Sequence, residues 1–258
     1  MKFLKEKIKI GTYEQKPERY SELNESVVAD IADIAAGFFD PDYGGFGHEP
    51  KFPVPEALEL LMMLRKKDKH FMKMAAITLD KMSALQDRHA GGFFRYSVTS
   101  DWRQPHYEKM LEINAKILLN YLHGYQLTGN EKYKAVAEQT ISYVINTLSD
   151  GTIFFGSQDA DKEEEYYGKS LEERAKLPTP YIDKTVYTNW NSMMISALLD
   201  ASIIIDNDDY RDRSLKAIDF LIDNCFDKCM YHYFDGEKHM PGLLNDQVYF
   251  MRALLDAF

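Results

Sequence analysis

Residues 111–148 read LEINAKILLNYLHGYQLTGNEKYKAVAEQTISYVINTL. Apolar residues recur every three or four positions on both sides of Gly129-Asn130, which is typical of amphipathic α-helices. Gly129 suits the end of one helix and Asn130 the N-cap of the next. Because so short a connection forces the two helices to run antiparallel, the stretch predicts a helical hairpin.

Similar patterns recur along the chain. The predicted helices cover about residues 23–39, 56–67, 70–87, 108–128, 131–148, 188–205 and 209–224, with a last one from about 246. Pro55 suits the first turn of its helix. Asn207-Asp208 repeats the stop and cap pattern, with Asp208 as the expected N-cap. The helices therefore pair into a series of hairpins.

The hairpins also repeat in sequence. Each second helix carries an aromatic, a small and an aliphatic residue at steps of four, in the sets Phe71, Ala75 and Leu79; Tyr133, Ala137 and Ile141; Tyr210, Ser214 and Ile218. Aromatic residues beside Gly or Asp follow each set. Self-similarity at roughly 50–80 residues is typical of helical arrays and closed toroids. The sequence predicts an all-α fold, an (α/α) toroid of helical hairpins over residues 23–258, after an N-terminal extension over residues 1–22.

The composition limits the classes of function. The chain has 258 residues, 45% of them hydrophobic, and a net charge of −10. An acidic surface repels phosphate backbones, so nucleic acid is not an expected partner. No run reaches the ~18–20 apolar residues of a membrane helix, so no membrane partner is expected either, and the N-terminus lacks the apolar core of a secretory signal. Cys225 and Cys229 are too few for a disulfide framework, which favours a cytoplasmic protein.

Chemically active residue types concentrate in the long loops between hairpins and in the first turn of the following helix. These segments share one rim of a helical array, where a rigid scaffold holds functional loops. The first of them, residues 44–53, reads GGFGHEPKFP and offers His48 or Lys51 to bind or protonate a substrate. The simpler alternative is a surface loop shaped by its Gly and Pro residues.

The second loop, residues 91–110, carries the richest set of polar residues. His106 can transfer protons near neutral pH. Flat aromatic faces that suit stacking on a sugar ring, and polar groups that suit its hydroxyls, come from Arg95, Tyr96, Asp101 and Trp102. The alternative is a polar loop that caps the next helix, with Glu108 favouring the helix N-terminus.

Three further segments hold polar or aromatic residues. Asp159 and Asp161 lie two positions apart, so in an extended segment their carboxylates point the same way. They could hold hydroxyls, act as an acid/base pair or bind a metal, and a plain acidic loop is the alternative. Asn189-Trp190-Asn191 and Asn245-Asp246 each begin a helix, so capping or packing competes there with substrate binding.

These clusters, in this order, resemble the YyaL family, whose animal member is called spermatogenesis-associated protein. The specific matches are Pro50-Lys51-Phe52-Pro53 and Pro105-His106-Tyr107-Glu108-Lys109-Met110. Further matches are Gly92-Phe93-Phe94-Arg95-Tyr96-Ser97, Asp159-Ala160-Asp161, Trp190-Asn191 and Gly242-Leu243-Leu244-Asn245-Asp246. The resemblance implies an (α/α)6 toroid similar to N-acylglucosamine 2-epimerase and the six-hairpin glycosidases.

The resemblance further implies a carbohydrate-active enzyme, a sugar epimerase or isomerase or a glycoside hydrolase, that needs no cofactor and no metal. His106 would remove and return a proton at a sugar carbon, with His48 as a second acid/base group, and Asp159 and Asp161 would bind hydroxyls or act as acid and base. The implied substrate-binding residues are Arg95, Tyr96, Asp101, Trp102, Glu108, Lys109, Trp190, Asn191 and Asp246. If the chain is such an enzyme, His106, Asp159 and Trp190 are expected to line one pocket.

The chain departs from the family pattern in several places. The sequence contains no thioredoxin-like segment and no C-x-x-C motif. Glu164 and Lys169 stand where the family pattern has a Gly and a Trp. The hairpin units amount to about four, against the six of a closed toroid. We therefore expect a ring that is open, completed by self-association or a partner chain, or cut short. These departures favour the alternative function, a noncatalytic module that binds a ligand or a protein.

Overall fold

Helical hairpins make up most of the structure. The computed structural model describes residues 25–160 and 165–258. Its helices are α1 (Glu25–Gly37), α2 (Pro55–Met63), α3 (Lys69–Met82), α4 (Leu111–Thr128), α5 (Glu131–Thr147), α6 (Leu171–Arg174), α7 (Thr188–Ile204), α8 (Asp208–Cys225) and α9 (Leu244–Ala257). The all-α fold predicted from the sequence is confirmed. The N-terminal extension assigned to residues 1–22 lies outside the described residues.

The short connections end and begin helices as their turn residues dictate. Gly129 follows α4 in the left-handed conformation, with φ of 68°, and the Asn130 side chain accepts a backbone N–H of α5, as predicted. At the next connection the cap is Asn207 rather than the expected Asp208, because the Asn207 side chain accepts a backbone N–H of α8. Asn189, another expected cap, lies inside the first turn of α7.

The first helix of each hairpin belongs to an inner layer. α4 packs on both α2 and α7, and α7 packs on α9. The second helices, α3, α5 and α8, pack outside against α2, α4 and α7. Because 12 of the 17 residues of α7 are buried, this helix lies at the centre of the array.

Short antiparallel strands connect the long loops at the end of the array where the inner helices begin. They are β1 (Tyr96–Ser97), β2 (Pro105–His106), β3 (Lys109–Met110), β4 (Ser157–Gln158), β5 (Ile182–Asp183), β6 (Val186–Tyr187), β7 (Tyr231–Phe234) and β8 (Lys238–Pro241). They form the sheets β1-β2, β3-β4-β5 and β6-β7-β8. We call this end of the array the loop rim. Most of these strands have two residues, too few to show an alternating pattern in sequence.

Two terminal helices of the described array expose apolar faces. On α1 the exposed side chains are Val28, Ile31 and Ile34, and on α9 they are Leu244, Val248, Met251, Leu254 and Leu255. Isolated apolar residues on a surface are ordinary, whereas a row along one helix face is typical of a contact surface.

The structure bears on two further expectations from composition. In residues 25–160 and 165–258 no helix has both the length and the apolar character needed to cross a bilayer. Cys225 and Cys229 are free thiols, and Cys225 is buried. The cytoplasmic location stays a prediction.

Candidate functional site

Two lysines of the family motifs act as buried clamps between loops. Nζ of Lys51 donates a hydrogen bond to Asp40, and Nζ of Lys109 donates one to Asp87 at 2.7 Å. In both cases Nζ also donates to a glycine carbonyl at 2.8 Å. Neither lysine side chain has accessible surface. Lys109, expected to bind substrate, therefore joins two loops of the scaffold, and this corrects the expectation.

Asp87 is the centre of a buried charge cluster. Its carboxylate also accepts two hydrogen bonds from the Arg174 guanidinium, at 2.7 and 2.9 Å. Burial acts to raise the pKa of Asp87, but Arg174 and Lys109 outweigh it and hold that pKa well below its usual value. Burial lowers the pKa of Lys109 to about 8, although Asp87 opposes the shift. All three side chains are buried, so the cluster is a structural joint.

An amide side chain at the fourth residue of three inner helices holds a neighbouring loop. Oδ1 of Asn114 accepts the N–H of Phe93 at 2.6 Å, and its Nδ2 donates to the carbonyl of the same residue at 3.1 Å. Asn191 binds Phe154 in the same way at 3.0 Å each, and Gln247 repeats the pattern one unit later. Asn191 has no accessible surface. It was expected to bind substrate, and the structure makes it a clamp instead.

Trp102 is buried in the loop rim. Its indole Nε1 donates to the carbonyl of Tyr43 at 2.9 Å, and its ring lies against Gly45. Nζ of Lys51 lies 5.3 Å from the ring centroid, a distance that permits a cation–π interaction. With no accessible surface, the indole offers no face to a sugar ring. The expectation of a stacking surface at Trp102 is therefore corrected.

Partly exposed side chains from three loop segments form a patch on the loop rim. Tyr96 stacks on both Phe52 and His106, with ring centroids 4.6 and 4.9 Å apart. Nη1 of Arg95 donates to Oε2 of Glu108 at 2.8 Å, and Nε2 of His106 lies 3.8 Å from the same oxygen. We call these five residues the rim patch. Because the His106 side chain is 41% exposed, a ligand can reach the imidazole.

His48 and Asp101 lie in loops that are tied to each other. Glu49 accepts hydrogen bonds from both the N–H and the hydroxyl of Ser100, at 3.0 Å each. The Thr99 hydroxyl donates to Asp101 at 2.7 Å and lowers the pKa of that carboxyl. His48 is exposed. Strand pairing of residues 51, 97 and 105 brings these loops beside the rim patch.

The remaining candidates lie elsewhere on the loop rim. Asp159 is exposed, and Asp161 lies outside the described residues. The Trp190 ring is partly buried and packs on a tyrosine, with centroids 4.4 Å apart. Within residues 25–160 and 165–258, no hydrogen bond, ion pair or ring contact joins His106, Asp159 and Trp190. The structure shows no contact that would unite these three side chains in one pocket.

Asp246 is buried beside a histidine. It has no accessible surface, and its Oδ2 lies 3.1 Å from Nδ1 of His232. Burial raises the pKa of Asp246, and His232 opposes that shift. Asp246 therefore positions an imidazole whose side chain is 27% exposed, rather than meeting a ligand itself.

A cleft that the sequence analysis missed opens between the inner helices. Its volume is about 440 Å³, and α2, α4, α7 and α9 all contribute to its walls. We call it the inner cleft. Its polar lining residues are Glu56, Glu59, Lys116, Asn120, His123, Ser196 and Arg252, none of them a predicted site residue. Lys116, Asn120 and His123 follow one another at steps of four and three and so share one face of α4, a spacing that could have revealed this face.

His123 is held between two carboxylates in the inner cleft. Its Nδ1 lies 2.8 Å from Glu59 and its Nε2 lies 3.4 Å from Asp200. Hydrogen bonds with Asp200 and Glu59 raise the pKa of His123 to about 9, although burial opposes the shift. The imidazole is therefore a cation at neutral pH.

The chain is similar in sequence to spermatogenesis-associated protein 20 of several animals. It is 34% identical over 166 residues to spermatogenesis-associated protein 20 of Homo sapiens, and 34% identical over 163 residues to that of Mus musculus. The human alignment covers 57% of this chain and 21% of the human protein, so the chain matches about a fifth of that relative. No family model matches the chain. The resemblance that the motifs predicted is confirmed.

Solved structures with this architecture include enzymes named for sugar substrates. An unsaturated glucuronyl hydrolase specific for heparin has a TM-score of 0.62 and 16% identity, and the match covers 91% of this chain and 69% of that one. Cellobiose 2-epimerase from Bacillus thermoamylovorans has a TM-score of 0.63 and 11% identity, over 91% and 71%. D-mannose isomerase has a TM-score of 0.59 and 12% identity, over 86% and 58%. The toroid fold class is thereby confirmed, and at these identities the likeness concerns the fold.

Proposed function

We infer from the kinship of this chain with the spermatogenesis-associated protein family, and from its toroid fold, that it is a carbohydrate-active protein with a site on the loop rim. The observation that carries the proposal is the rim patch, where the partly exposed His106 stacks on Tyr96 beside Glu108. The structural neighbours, a hydrolase, an epimerase and an isomerase, supply the substrate class by analogy.

The rim patch has the groups that proton transfer at a sugar carbon requires. His106 acts as the base that takes a proton and returns it. Glu108, 3.8 Å away, stabilises the imidazolium that forms, and Arg95 keeps the Glu108 carboxylate in place. The exposed ring of Phe52 covers an apolar face of the sugar, and the partly buried Tyr96, stacked between Phe52 and His106, contributes only its edge. This chemistry needs no cofactor.

Other loop residues complete the proposed site. His48 is the second acid/base group, and its loop lies beside the rim patch. Asp101 binds hydroxyls beside the rim patch. Asp159, Asp161 and Trp190 are proposed to contact only a longer sugar that extends along the loop rim beyond His106. Trp102, Lys109 and Asn191 are not part of the proposed site, because their side chains have no accessible surface.

A noncatalytic binding module is the second candidate function. The family motif residues Lys51, Lys109 and Asn191 all hold the scaffold, and a sequence can keep them for folding alone. Under this proposal the rim patch binds a sugar without chemical change. The same surface then serves recognition rather than turnover.

A ligand screen tests whether the rim patch binds sugars. Thermal shift is measured with panels of monosaccharides, uronic acids and oligosaccharides on the parent chain and on His106→Ala. His70→Ala is the matched control, because that imidazole is 83% exposed on α3. We expect stabilising sugars for the parent and the control, and loss of the shift in His106→Ala. Shifts that persist in His106→Ala contradict the assignment of the rim patch.

Solvent exchange separates the two candidate functions. A base that removes and returns a carbon-bound proton introduces deuterium at that carbon in D₂O. We expect NMR to show such exchange in a sugar found by the screen, and its loss in His106→Ala. Binding without exchange, hydrolysis or isomerisation identifies the binding module instead.

A further inference from the structure

The inner cleft has the features of a second ligand site. Apolar side chains from all four inner helices line it alongside its polar groups, and they are Pro55, Leu60, Met63, Leu119, Met193 and Tyr249. Its volume of about 440 Å³ is in the range of small-molecule sites. The cleft therefore has room for the body of a small organic molecule.

One buried polar atom on the cleft wall, in the described part of the chain, lacks a partner. Asn120 is 2% exposed, and its Nδ2 donates to the carbonyl of Pro55 at 3.2 Å and to Glu59 at 3.1 Å. In the described part of the chain its Oδ1 accepts no hydrogen bond. Ser196, which is 4% exposed, lies on the facing helix α7 and also lines the cleft. Because an unsatisfied buried acceptor is costly, a ligand that donates a hydrogen bond to Asn120 is favoured.

The charged groups around the cleft leave an excess of negative charge. Lys116 lies between Glu56 and Glu112, with Nζ–Oε distances of 2.8 and 2.7 Å. His123 lies between Glu59 and Asp200 in the same manner. Each of these two triads carries one cation and two carboxylates, so each has a net charge of −1 even with His123 protonated.

Arg252, the remaining charged residue that lines the cleft, does not change this net charge. Nε of Arg252 lies 3.6 Å from Asp256, one turn further along α9, so this pair is neutral. Counted with Glu112, Asp200 and Asp256, which pair with lining residues but do not line the cleft themselves, these charges sum to −2 and favour a cation over an anion. The Tyr249 ring adds a π face, which favours a cation further.

We propose that the inner cleft binds an organic cation, a protonated amine on an apolar body. The ammonium group donates hydrogen bonds to Asn120 and Ser196 in the field of the four carboxylates, and the apolar body packs on the aliphatic and aromatic walls. A carboxylate or phosphate ligand meets like charge there. This site is separate from the rim patch in its residues and in its ligand class.

Benzylamine and benzyl alcohol, which match in shape and differ in charge, test the proposal by calorimetric titration and by NMR. We expect benzylamine to bind at least tenfold more tightly than benzyl alcohol, a difference of about 1.4 kcal/mol. We also expect added salt to weaken only the amine, because salt screens charge. The side-chain amide signal of Asn120 should shift on titration.

Variants place the amine in the inner cleft. Glu59→Gln keeps an acceptor for Asn120 and removes one charge, and Ser196→Ala removes a donor or acceptor with little change of volume. We expect each to weaken benzylamine binding about fivefold, or ~1 kcal/mol. Glu172→Gln, at an exposed carboxylate on α6, is the matched control and should bind like the parent. Equal affinity for amine and alcohol, no measurable amine binding, or equal loss in Glu172→Gln overturns the proposal. Because the titrations contain no sugar, a negative result concerns the inner cleft alone and does not bear on the function proposed for the rim patch.

Discussion

Nζ of Lys109 lies 2.7 Å from Oδ2 of Asp87, and both side chains are buried. Arg174 binds the same carboxylate, so one anion pairs with two cations. Asp87→Asn leaves both cations uncompensated and should lower the free energy of unfolding by about 3–5 kcal/mol. Lys109→Met leaves the Asp87–Arg174 pair and should cost less, about 1–3 kcal/mol. Urea unfolding measures both, and a larger loss in Lys109→Met contradicts this order.

Gly45 and Gly47 form a matched pair for testing the buried indole. Both have positive φ, 75° and 77°, so an alanine is strained to a similar extent at either. A Cβ on Gly45 meets the Trp102 ring at 2.5 Å, whereas one on Gly47 meets nothing within 4 Å. We expect Gly45→Ala to be less stable than Gly47→Ala by about 1–3 kcal/mol in thermal unfolding. Equal stabilities of the two variants would show that the Trp102 ring moves aside at little cost, as expected of a mobile ligand-binding ring and not of a tightly packed one.

The amide clamps predict parallel effects in two hairpins. Asn114→Ala and Asn191→Ala each leave a buried N–H and carbonyl without partners, so each should cost about 2–4 kcal/mol in urea unfolding. Gln247→Ala should cost less, because Gln247 is partly exposed and water can replace it. A variant Asn191→Ala with unchanged stability but weakened sugar binding supports the original assignment of Asn191 to a substrate site.

The inner cleft gives stability a pH dependence at its histidine. The pKa of His123 is about 9, raised from 6.5, so the folded state holds the proton more tightly than the unfolded chain does. The stabilisation is complete below about pH 6.5 and is lost as the pH rises through about 9. Since the carboxylates are partly exposed, we expect about 1–2 kcal/mol. The difference in unfolding free energy between the parent and His123→Gln should shrink over this interval, and a constant difference contradicts the ion triad.

The apolar faces of α1 and α9 predict self-association. Ile34 is 62% exposed and Leu255 is 76% exposed, so contact between copies would remove apolar surface from water. Sedimentation velocity should show a concentration-dependent rise in mass for the parent, and a smaller rise for Ile34→Glu and Leu255→Glu. Leu171→Glu, at a 55% exposed site on α6, is the control. A parent that sediments as a monomer at all concentrations contradicts the prediction.

The sequence predicted the helices well and the roles of their residues less well. Apolar periodicity placed eight helices with small shifts at their ends, because burial of one helix face leaves a regular trace. The motif that contains Lys109 was also recognised in the sequence, but the structural role of this lysine was not. A buried ion pair and a substrate-binding lysine use the same residue, and the partner Asp87 lies 22 positions away. Local sequence does not state which of the two occurs.

What the sequence determined by itself is the secondary structure, the hairpin order and the resemblance to spermatogenesis-associated proteins, since these depend on residues close together in the chain. Only the tertiary structure decided which polar residues are buried joints and which face a ligand. Trp102 and His106 stand four residues apart in one loop, yet one has no accessible surface and the other is 41% exposed. The inner cleft likewise exists only because α2, α4, α7 and α9 meet. Exposure and charge balance arise from segments distant in sequence, so the packing of the whole array sets them.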